Sequence, residues 1–185
     1  MRIGILALQG CVEPHRAHLE KLGAEMVHIR YPEDCENISG YIIPGGESTT
    51  MLKLIRINGL EDILASEWQL KPVWGICAGA ILIAKKVTSP QQFSFGVIDY
   101  EIARNAYGSQ IMSHYGEVAG YKVAFIRAPK IMVCNPALKI LATHAQTPAW
   151  VASDKAMATT FHPELNNQTP SPMHRYFIEK YCATV

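Results

Sequence analysis

Cys77 lies between two glycines in the stretch Gly75-Ile76-Cys77-Ala78-Gly79, and this spacing suits nucleophilic chemistry. An apolar run ends at Cys77 and an alanine-rich run begins at Ala80, which predicts a strand, a sharp turn and a helix. A side chain held on such a turn needs small neighbours two residues away on each side, because the backbone is crowded there. The amino end of a helix also favours a thiolate over a thiol. The alternative is a buried core cysteine beside two turn glycines.

His162-Pro163-Glu164 is a second motif with chemical potential, and it follows an apolar run from Met157 to Phe161. Pro163 favours an extended backbone at His162, and side chains two residues apart in an extended chain point to the same side. Glu164 can therefore hold the His162 ring in one orientation and tautomer. Together with Cys77, this pair would make a Cys-His-Glu triad. Taken alone, His-Pro-Glu is more often a turn at the end of a strand.

The segment Pro44-Gly45-Gly46-Glu47-Ser48 also follows an apolar run and leads into a predicted helix. Its two glycines, Gly45 and Gly46, allow backbone N–H groups to turn toward a negative oxygen, and with the N–H of Ala78 they could form an oxyanion hole. No lysine follows the glycines, so the segment is not a phosphate loop of the Gly-Lys-Ser type. A plain Gly-Gly turn is the alternative.

The elements that must position these motifs alternate between strand and helix through the first half of the chain, which predicts an α/β fold with an open, doubly wound, mostly parallel sheet. From Val97 to Val133 the chain shows strands separated by short turns, which predicts a small antiparallel section attached to the main sheet. No linker or repeat interrupts the sequence, so we expect one domain over residues 1–185.

Strands are expected at 3–8, 25–30, 41–43, 73–76, 97–104, 110–118, 122–127, 131–133, 138–144, 149–153 and 157–161. Helices are expected at 14–23, 48–58 (capped by Ser48, Thr49 or Thr50), 60–68, 80–86 and 173–181.

Composition and charge favour small partners over nucleic acid or an anionic membrane, because 17 basic residues nearly balance 16 acidic ones. The amino-terminal apolar run, Ile3 to Leu8, is too short and has too few flanking charges for a signal peptide. No later apolar run approaches the length of a membrane span, so we expect a cytoplasmic protein.

The five cysteines include no C-x-x-C pair, which argues against a disulfide framework or a zinc ribbon. We expect four of them to be small apolar fillers or bystanders: Cys11, Cys35, Cys134 and Cys182.

The three motifs resemble those of class I glutamine amidotransferases, which carry a cysteine in an elbow and a late His-x-Glu. A narrower resemblance is to the glutaminase subunits of pyridoxal 5′-phosphate synthases, because most other class I glutaminases have Cys-Leu-Gly where this chain has Cys-Ala-Gly. The matching motifs span nearly the whole chain in the family's order: Gly4 to Gly10, Pro44 to Thr50, Cys77 to Gly79, Arg104-Asn105 with Tyr107-Gly108, Phe125 to Pro129 and Phe161 to Leu165. The resemblance implies a flavodoxin-like class I glutaminase fold.

The resemblance also implies an activity, namely hydrolysis of L-glutamine to glutamate and ammonia through a γ-glutamyl thioester on Cys77, with His162 and Glu164 completing the triad. The ammonia would pass to a separate synthase subunit in a hetero-oligomer. Because the phosphates of the overall reaction belong to that partner, no cofactor and no metal are assigned to this chain. By motif matching, contacts to glutamine or the oxyanion would come from Gly45, Gly46, Glu47, Arg104, Ile126 and Arg127, and Gln9 would shape the oxyanion loop when the partner docks.

Several positions depart from the family pattern, and they bear on partner contacts more than on the reaction. These are Ser109, the run Ser113 to Gly116 and the run Asn166 to Pro172. Two other functions share the same motifs. One is a stand-alone thiol hydrolase or peptidase, which would act without a partner. The other is a catalytically silent binding subunit, which an intact Cys77, His162 and Glu164 disfavours.

Overall fold

The computed structural model describes residues 1–105 and 113–183, which form strands and helices in alternation through the first half. The strands are β1 (Arg2–Leu6), β2 (Glu25–Ile29), β3 (Gly40–Ile43), β4 (Val73–Ile76), β5 (Ala84–Thr88), β6 (Ile98–Ala103), β7 (His114–Val118), β8 (Tyr121–Phe125), β9 (Lys130–Cys134), β10 (Lys139–His144), β11 (Thr147–Ala152) and β12 (Ala156–Thr159). The α-helices are α1 (His15–Glu20), α2 (Ser48–Ile57), α3 (Glu61–Leu70), α4 (Ala78–Ile83) and α5 (Pro172–Phe177). A π-helical turn, Ile178–Cys182, follows α5.

A seven-stranded sheet forms the centre of the fold, with the strand order β10-β11-β12-β4-β3-β1-β2. The five strands from β12 to β2 pair in parallel, whereas β10 and β11 are antiparallel. This arrangement confirms the predicted α/β class with a mostly parallel sheet. It also brings the carboxyl ends of β12, β4, β3 and β1 to the same edge, where ligands of open α/β sheets bind.

Helices cover both faces of this sheet because its central strands are apolar on both sides. In β3, Tyr41 and Ile43 pack into the core under α2, α3 and α4, whereas Ile42 faces the opposite core. That second core also holds Leu19 of α1 and Phe177 of α5. The alternation follows the two-residue period of a strand, so one short run of sequence contributes to both layers.

The segment after Cys77 differs from the prediction, because the helix expected at 80–86 ends at Ile83 and a strand follows it at once. Lys85 and Lys86 in β5 form ion pairs with Asp99 and Glu101 in β6, each with a distance of 2.8 Å. Their high helix propensity is overridden because β5 pairs with β6 and buries Ala84 and Val87 in the core, whereas the two lysine ion pairs are exposed and contribute little.

The strands between Val97 and Val133 form two separate small sheets rather than an antiparallel extension of the main sheet. One has the order β5-β6-β9, and the other pairs β7 with β8. The antiparallel part of the main sheet comes instead from β10 and β11. The first part of the strand predicted at 110–118, together with Tyr107, Gly108 and Ser109, lies outside the described residues. Among residues 1–105 and 113–183, no helix combines the length and the apolar character that crossing a membrane requires.

Candidate active site

Four neighbouring strands deliver the predicted motifs to one edge of the sheet. Gln9 follows β1, Gly45 follows β3, Cys77 follows β4 and His162 follows β12. Because these strands are adjacent and parallel, segments far apart in sequence meet in space. The sheet order, rather than any local motif, assembles the site.

Cys77 occupies a sharp turn between β4 and α4, as the Gly-x-Cys-x-Gly pattern predicts. Its backbone has φ 50° and ψ −102°, an unfavourable conformation for a residue with a side chain. The Cys77 N–H donates to the Thr159 carbonyl at 2.8 Å, which ties the turn to β12. A Cβ atom at Gly79 would collide with the carbonyl oxygen of Ile43, so a glycine is required there. The structure thus holds Cys77 on a strained nucleophile elbow.

His162 and Glu164 form a buried pair beside this elbow. Nδ1 of His162 lies 2.8 Å from Oε1 of Glu164, and the two residues are 4% and 3% exposed. The His162 N–H donates to the Ala124 carbonyl at 2.8 Å, which anchors the histidine backbone to β8. The structure therefore shows the predicted contact through which Glu164 orients the His162 ring.

The surroundings of His162 favour its charged form. Burial alone lowers the pKa of His162, but contacts with the thiols of Cys11 and Cys77 and with the Glu164 carboxylate outweigh burial and raise it. For Glu164, burial raises the pKa, but the hydrogen bond with His162 holds it below its ordinary value. An imidazolium next to a carboxylate is the arrangement that stabilises a nearby thiolate.

The Cys77 thiol also contacts the chain segment that carries Ile126 and Arg127. Sγ of Cys77 lies 3.7 Å from the carbonyl oxygen of Ile126. Both residues are exposed, and Arg127 has a left-handed backbone with φ 48°. The segment that motif matching indicated therefore lies beside the thiol, and a left-handed backbone like that of Arg127 often occurs at functional sites.

The glycine loop after β3 packs directly against His162 and Gln9. A Cβ atom at Gly45 would collide with the His162 ring, and one at Gly46 would collide with the Gln9 side chain. Oε1 of Gln9 accepts a hydrogen bond from the Glu47 N–H at 2.9 Å. Gln9 therefore contacts the glycine loop through its side chain, and its expected influence on this loop when a partner docks stays a prediction.

Glu47 caps α2, so the expectation that Ser48, Thr49 or Thr50 would be the cap is wrong. Its carboxylate accepts hydrogen bonds from the backbone N–H groups of Thr49 and Thr50 at 3.2 and 2.7 Å. Burial raises the pKa of Glu47, but hydrogen bonds from both threonines outweigh it and lower the pKa to about 2. The longer glutamate side chain reaches back to the first turn while its own backbone stays extended.

Arg104 lies beside the capping carboxylate. Its guanidinium donates to Oε1 of Glu47 at 3.4 Å and to Oγ1 of Thr49 at 3.2 Å. The Arg104 side chain is only 14% exposed, whereas most surface arginines are far more open to water. Arg104 therefore lies at the amino end of α2, in contact with Glu47 and Thr49.

A cluster of histidines behind Glu164 was not anticipated from the sequence. His15 Nδ1 lies 2.8 Å from His174 Nε2, and His174 Nδ1 lies 2.7 Å from the Ser171 hydroxyl. The Ser171 N–H donates to His18 Nδ1 at 3.0 Å, and His18 Nε2 lies 3.3 Å from the Glu164 carbonyl. The four side chains are buried and connect α1 and α5 to the segment that carries the triad glutamate.

Cys11, which the sequence analysis interpreted as a filler or bystander, lies against the His162–Glu164 pair. Its Sγ atom, a ring nitrogen of His162 and a carboxylate oxygen of Glu164 all lie within 4.8 Å of one another. The Cys11 N–H donates to the Gly45 carbonyl at 2.9 Å, which fixes this residue against the glycine loop. No local motif surrounds Cys11, so only the adjacency of β1 and β3 reveals its position.

Comparison with known proteins agrees with this geometry. The sequence matches the SNO glutamine amidotransferase family over residues 5–183. The chain belongs to this family. Among the relatives of this SNO-family chain, the pyridoxal 5′-phosphate synthase subunit PdxT of Solibacter usitatus is 42% identical, with 97% of this chain and 98% of that protein covered. PdxT of Koribacter versatilis is 43% identical, with 97% and 95% covered.

Solved structures agree with the assignment to the SNO family. A crystal structure of a glutamine amidotransferase has a TM-score of 0.85 and 38% identity, and the match covers 99% of each chain. A glutamine amidotransferase from Thermotoga maritima has a TM-score of 0.58 and 16% identity, with 97% of this chain and 81% of that chain covered. At that lower identity the likeness shows the fold alone.

Proposed function

We propose that this chain is the glutaminase subunit of a pyridoxal 5′-phosphate synthase and hydrolyses L-glutamine to L-glutamate and ammonia. The observation that carries the proposal is the elbow thiol of Cys77 beside the buried His162–Glu164 pair, whose facing atoms are 2.8 Å apart. The two PdxT relatives, at 42% and 43% identity over nearly the whole chain, support the choice of pathway.

The triad would act in two stages. In the first, Sγ of Cys77 attacks the side-chain amide carbon of glutamine, and His162 delivers a proton to the amide nitrogen as the carbon–nitrogen bond breaks. Ammonia leaves and a γ-glutamyl thioester remains on Cys77. In the second, His162 takes a proton from water, the hydroxyl forms a bond to the thioester carbon, and the carbon–sulfur bond breaks to release glutamate. Glu164 stabilises the imidazolium in both stages.

The loop after β3 and the start of α4 would stabilise the charge that develops on the amide oxygen. The N–H groups of Gly45, Gly46 and Ala78 are the candidate donors, because Ala78 begins α4 and the first N–H groups of a helix have no partner within it. Glu47 would place the loop through its cap on α2. Arg104 would bind the α-carboxylate of glutamine, and Ile126 and Arg127 would line the entrance.

The whole of residues 1–185 would act as one glutaminase domain in the cytoplasm, paired with the synthase subunit that accepts ammonia in a hetero-oligomer. Gln9 follows β1 and accepts a hydrogen bond from the Glu47 N–H, so a partner docked at this edge of the sheet could change the conformation of the loop through Gln9. Such docking would also shield ammonia from bulk water.

Ammonia release from L-glutamine tests the proposal, measured for the chain alone and with an added pyridoxal 5′-phosphate synthase subunit. We expect hydrolysis that requires or rises strongly with the partner, and none from Cys77→Ala under either condition. Hydrolysis by Cys77→Ala would overturn the mechanism. Folded protein that never hydrolyses glutamine, yet has a reactive Cys77, would instead favour a stand-alone thiol hydrolase with another substrate.

A further inference from the structure

Cys11, His162 and Glu164 present three different metal-binding atoms in one place. The thiol sulfur, a ring nitrogen and a carboxylate oxygen lie within 4.8 Å of one another. Four-coordinate zinc holds such donors at about 2.0–2.3 Å each, so its ligand atoms are separated by roughly 3–4 Å. Small side-chain movements would bring these three atoms into that range.

A second observation at the same place is a carboxylate oxygen without a partner. Oε2 of Glu164 is fully buried and makes no hydrogen bond within the described part of the chain, although Oε1 is bonded to His162. A buried carboxylate oxygen normally has a hydrogen-bond partner or contacts an ion, because leaving it bare costs free energy. Oε2 of Glu164 is therefore available to a further hydrogen-bond donor or to a cation.

The donor set and its charge select the kind of cation. A thiolate and a carboxylate together carry a charge of −2, which a divalent cation neutralises in a buried position. Sulfur and imidazole ligands favour zinc and related soft ions, whereas magnesium and calcium prefer oxygen alone. Cys11 is partly exposed, and that gives the ion a way in.

We propose that Cys11, His162 and Glu164 form an inhibitory binding site for Zn²⁺ and similar thiophilic divalent cations. The bound ion takes the ring nitrogen and the carboxylate that the proposed glutaminase needs, so His162 can no longer exchange protons with Cys77 or the amide nitrogen. In this proposal the ion takes no part in glutamine hydrolysis and acts only as a reversible blocker. Within residues 1–105 and 113–183, Cys77 is not part of this three-atom cluster, so Cys11 supplies the sulfur ligand.

A binding experiment that needs no glutamine tests the site itself. The purified chain is titrated with Cd²⁺, and the ultraviolet absorption band of cadmium–thiolate bonding is recorded. We expect one equivalent to bind to the unmodified chain and to Cys77→Ala, and the band to be lost in Cys11→Ala. Cys134→Ala is the matched control, because Cys134 is also partly exposed but lies in β9 outside the cluster. A band that survives in Cys11→Ala, or disappears in Cys77→Ala, would overturn the proposal.

Inhibition gives the functional readout, and this part rests on the proposed glutaminase activity. Ammonia release with the synthase subunit present is measured against Zn²⁺ concentration, with reversal by a chelator. Loss of one ligand should raise the Zn²⁺ concentration for half inhibition roughly 10–100-fold in Cys11→Ala, with each protein compared with its own activity in the absence of metal. Equal inhibition of both proteins would overturn the proposal. Cys11-dependent cadmium binding without any glutaminase activity would refute the proposed function alone.

Discussion

Nδ1 of His162 and Oε1 of Glu164 lie 2.8 Å apart, and the two side chains are among the few buried polar groups of the described chain. The pair is held from two directions. The backbone of His162 pairs with Ala124 in β8, and the Glu164 carbonyl lies 3.3 Å from Nε2 of His18 in α1. Strand and helix thus fix a base and its orienting carboxylate beside the Cys77 elbow.

Glu164→Gln tests whether the carboxylate does more than fill space. The substitution keeps the shape but removes the charge that stabilises the imidazolium, so we expect kcat for glutamine hydrolysis to fall about 100-fold or more. The pKa of His162, followed by NMR, should fall as well, because the carboxylate raises it. Glu179→Gln is the matched control, since Glu179 forms an exposed ion pair with Arg175. Unchanged kcat in Glu164→Gln would refute this role.

Gly45→Ala tests the close packing of the glycine loop on the histidine. A Cβ atom at this position would collide with the His162 ring, so the ring or the loop must move. We expect glutamine hydrolysis to fall at least about tenfold, because small misplacements of catalytic groups are costly. Gly23→Ala is the comparison, since an added Cβ there meets open space even though φ is 71°. That variant should lose some stability and keep its activity, and an active Gly45→Ala protein would contradict the packing argument.

Arg104→Met tests recognition of the substrate carboxylate. Methionine preserves much of the apolar stem but removes the guanidinium, so we expect KM for glutamine to rise about 10- to 100-fold, the usual cost of a lost charged hydrogen bond. Arg56→Met serves as the control, because Arg56 pairs with Glu61 on the exposed surface. Steady-state kinetics distinguish the two variants. An Arg104→Met enzyme with the original KM would remove Arg104 from the binding site.

The buried histidines predict a loss of stability in mild acid. Burial lowers the pKa of His15 to about 4, and it also lowers the pKa of His174. Because an unfolded histidine titrates near 6.5, the unfolded state binds more protons at pH 5 than the folded state does. Stability is therefore fully present above pH 6.5 and declines as the pH falls toward 4.

Urea denaturation at pH 7 and pH 5 measures this decline. We expect the free energy of unfolding to drop by on the order of 2 kcal/mol from His15 alone. His15→Gln should show a shallower decline with pH, whatever its absolute stability. Equal stability of the unmodified chain at the two pH values would show that these histidines do not stay neutral in the folded protein.

The motifs around Cys77 and His162 could be interpreted correctly from sequence because their geometry is local. The elbow depends on Gly75 and Gly79 within two residues of the thiol, and the His162–Glu164 contact depends on a two-residue spacing after a strand. The alternation of strands and helices likewise comes from short-range propensity and apolar period. Local patterns were therefore enough to predict the fold class and the proposed triad, because neither prediction needed a contact between distant segments.

Only the tertiary structure decided which distant residues surround that triad. Cys11 reaches His162 because β1 lies beside β3, and His15 meets His174 because α1 and α5 cover the same face of the sheet. The strand at Ala84–Thr88 forms against helix propensity because it pairs with β6 and buries Ala84 and Val87. Such contacts depend on sheet order and layer packing, which bring together residues far apart in sequence. No local pattern in the chain encodes that order, so the sequence by itself predicted the proposed reacting groups, whereas the fold determined their neighbours.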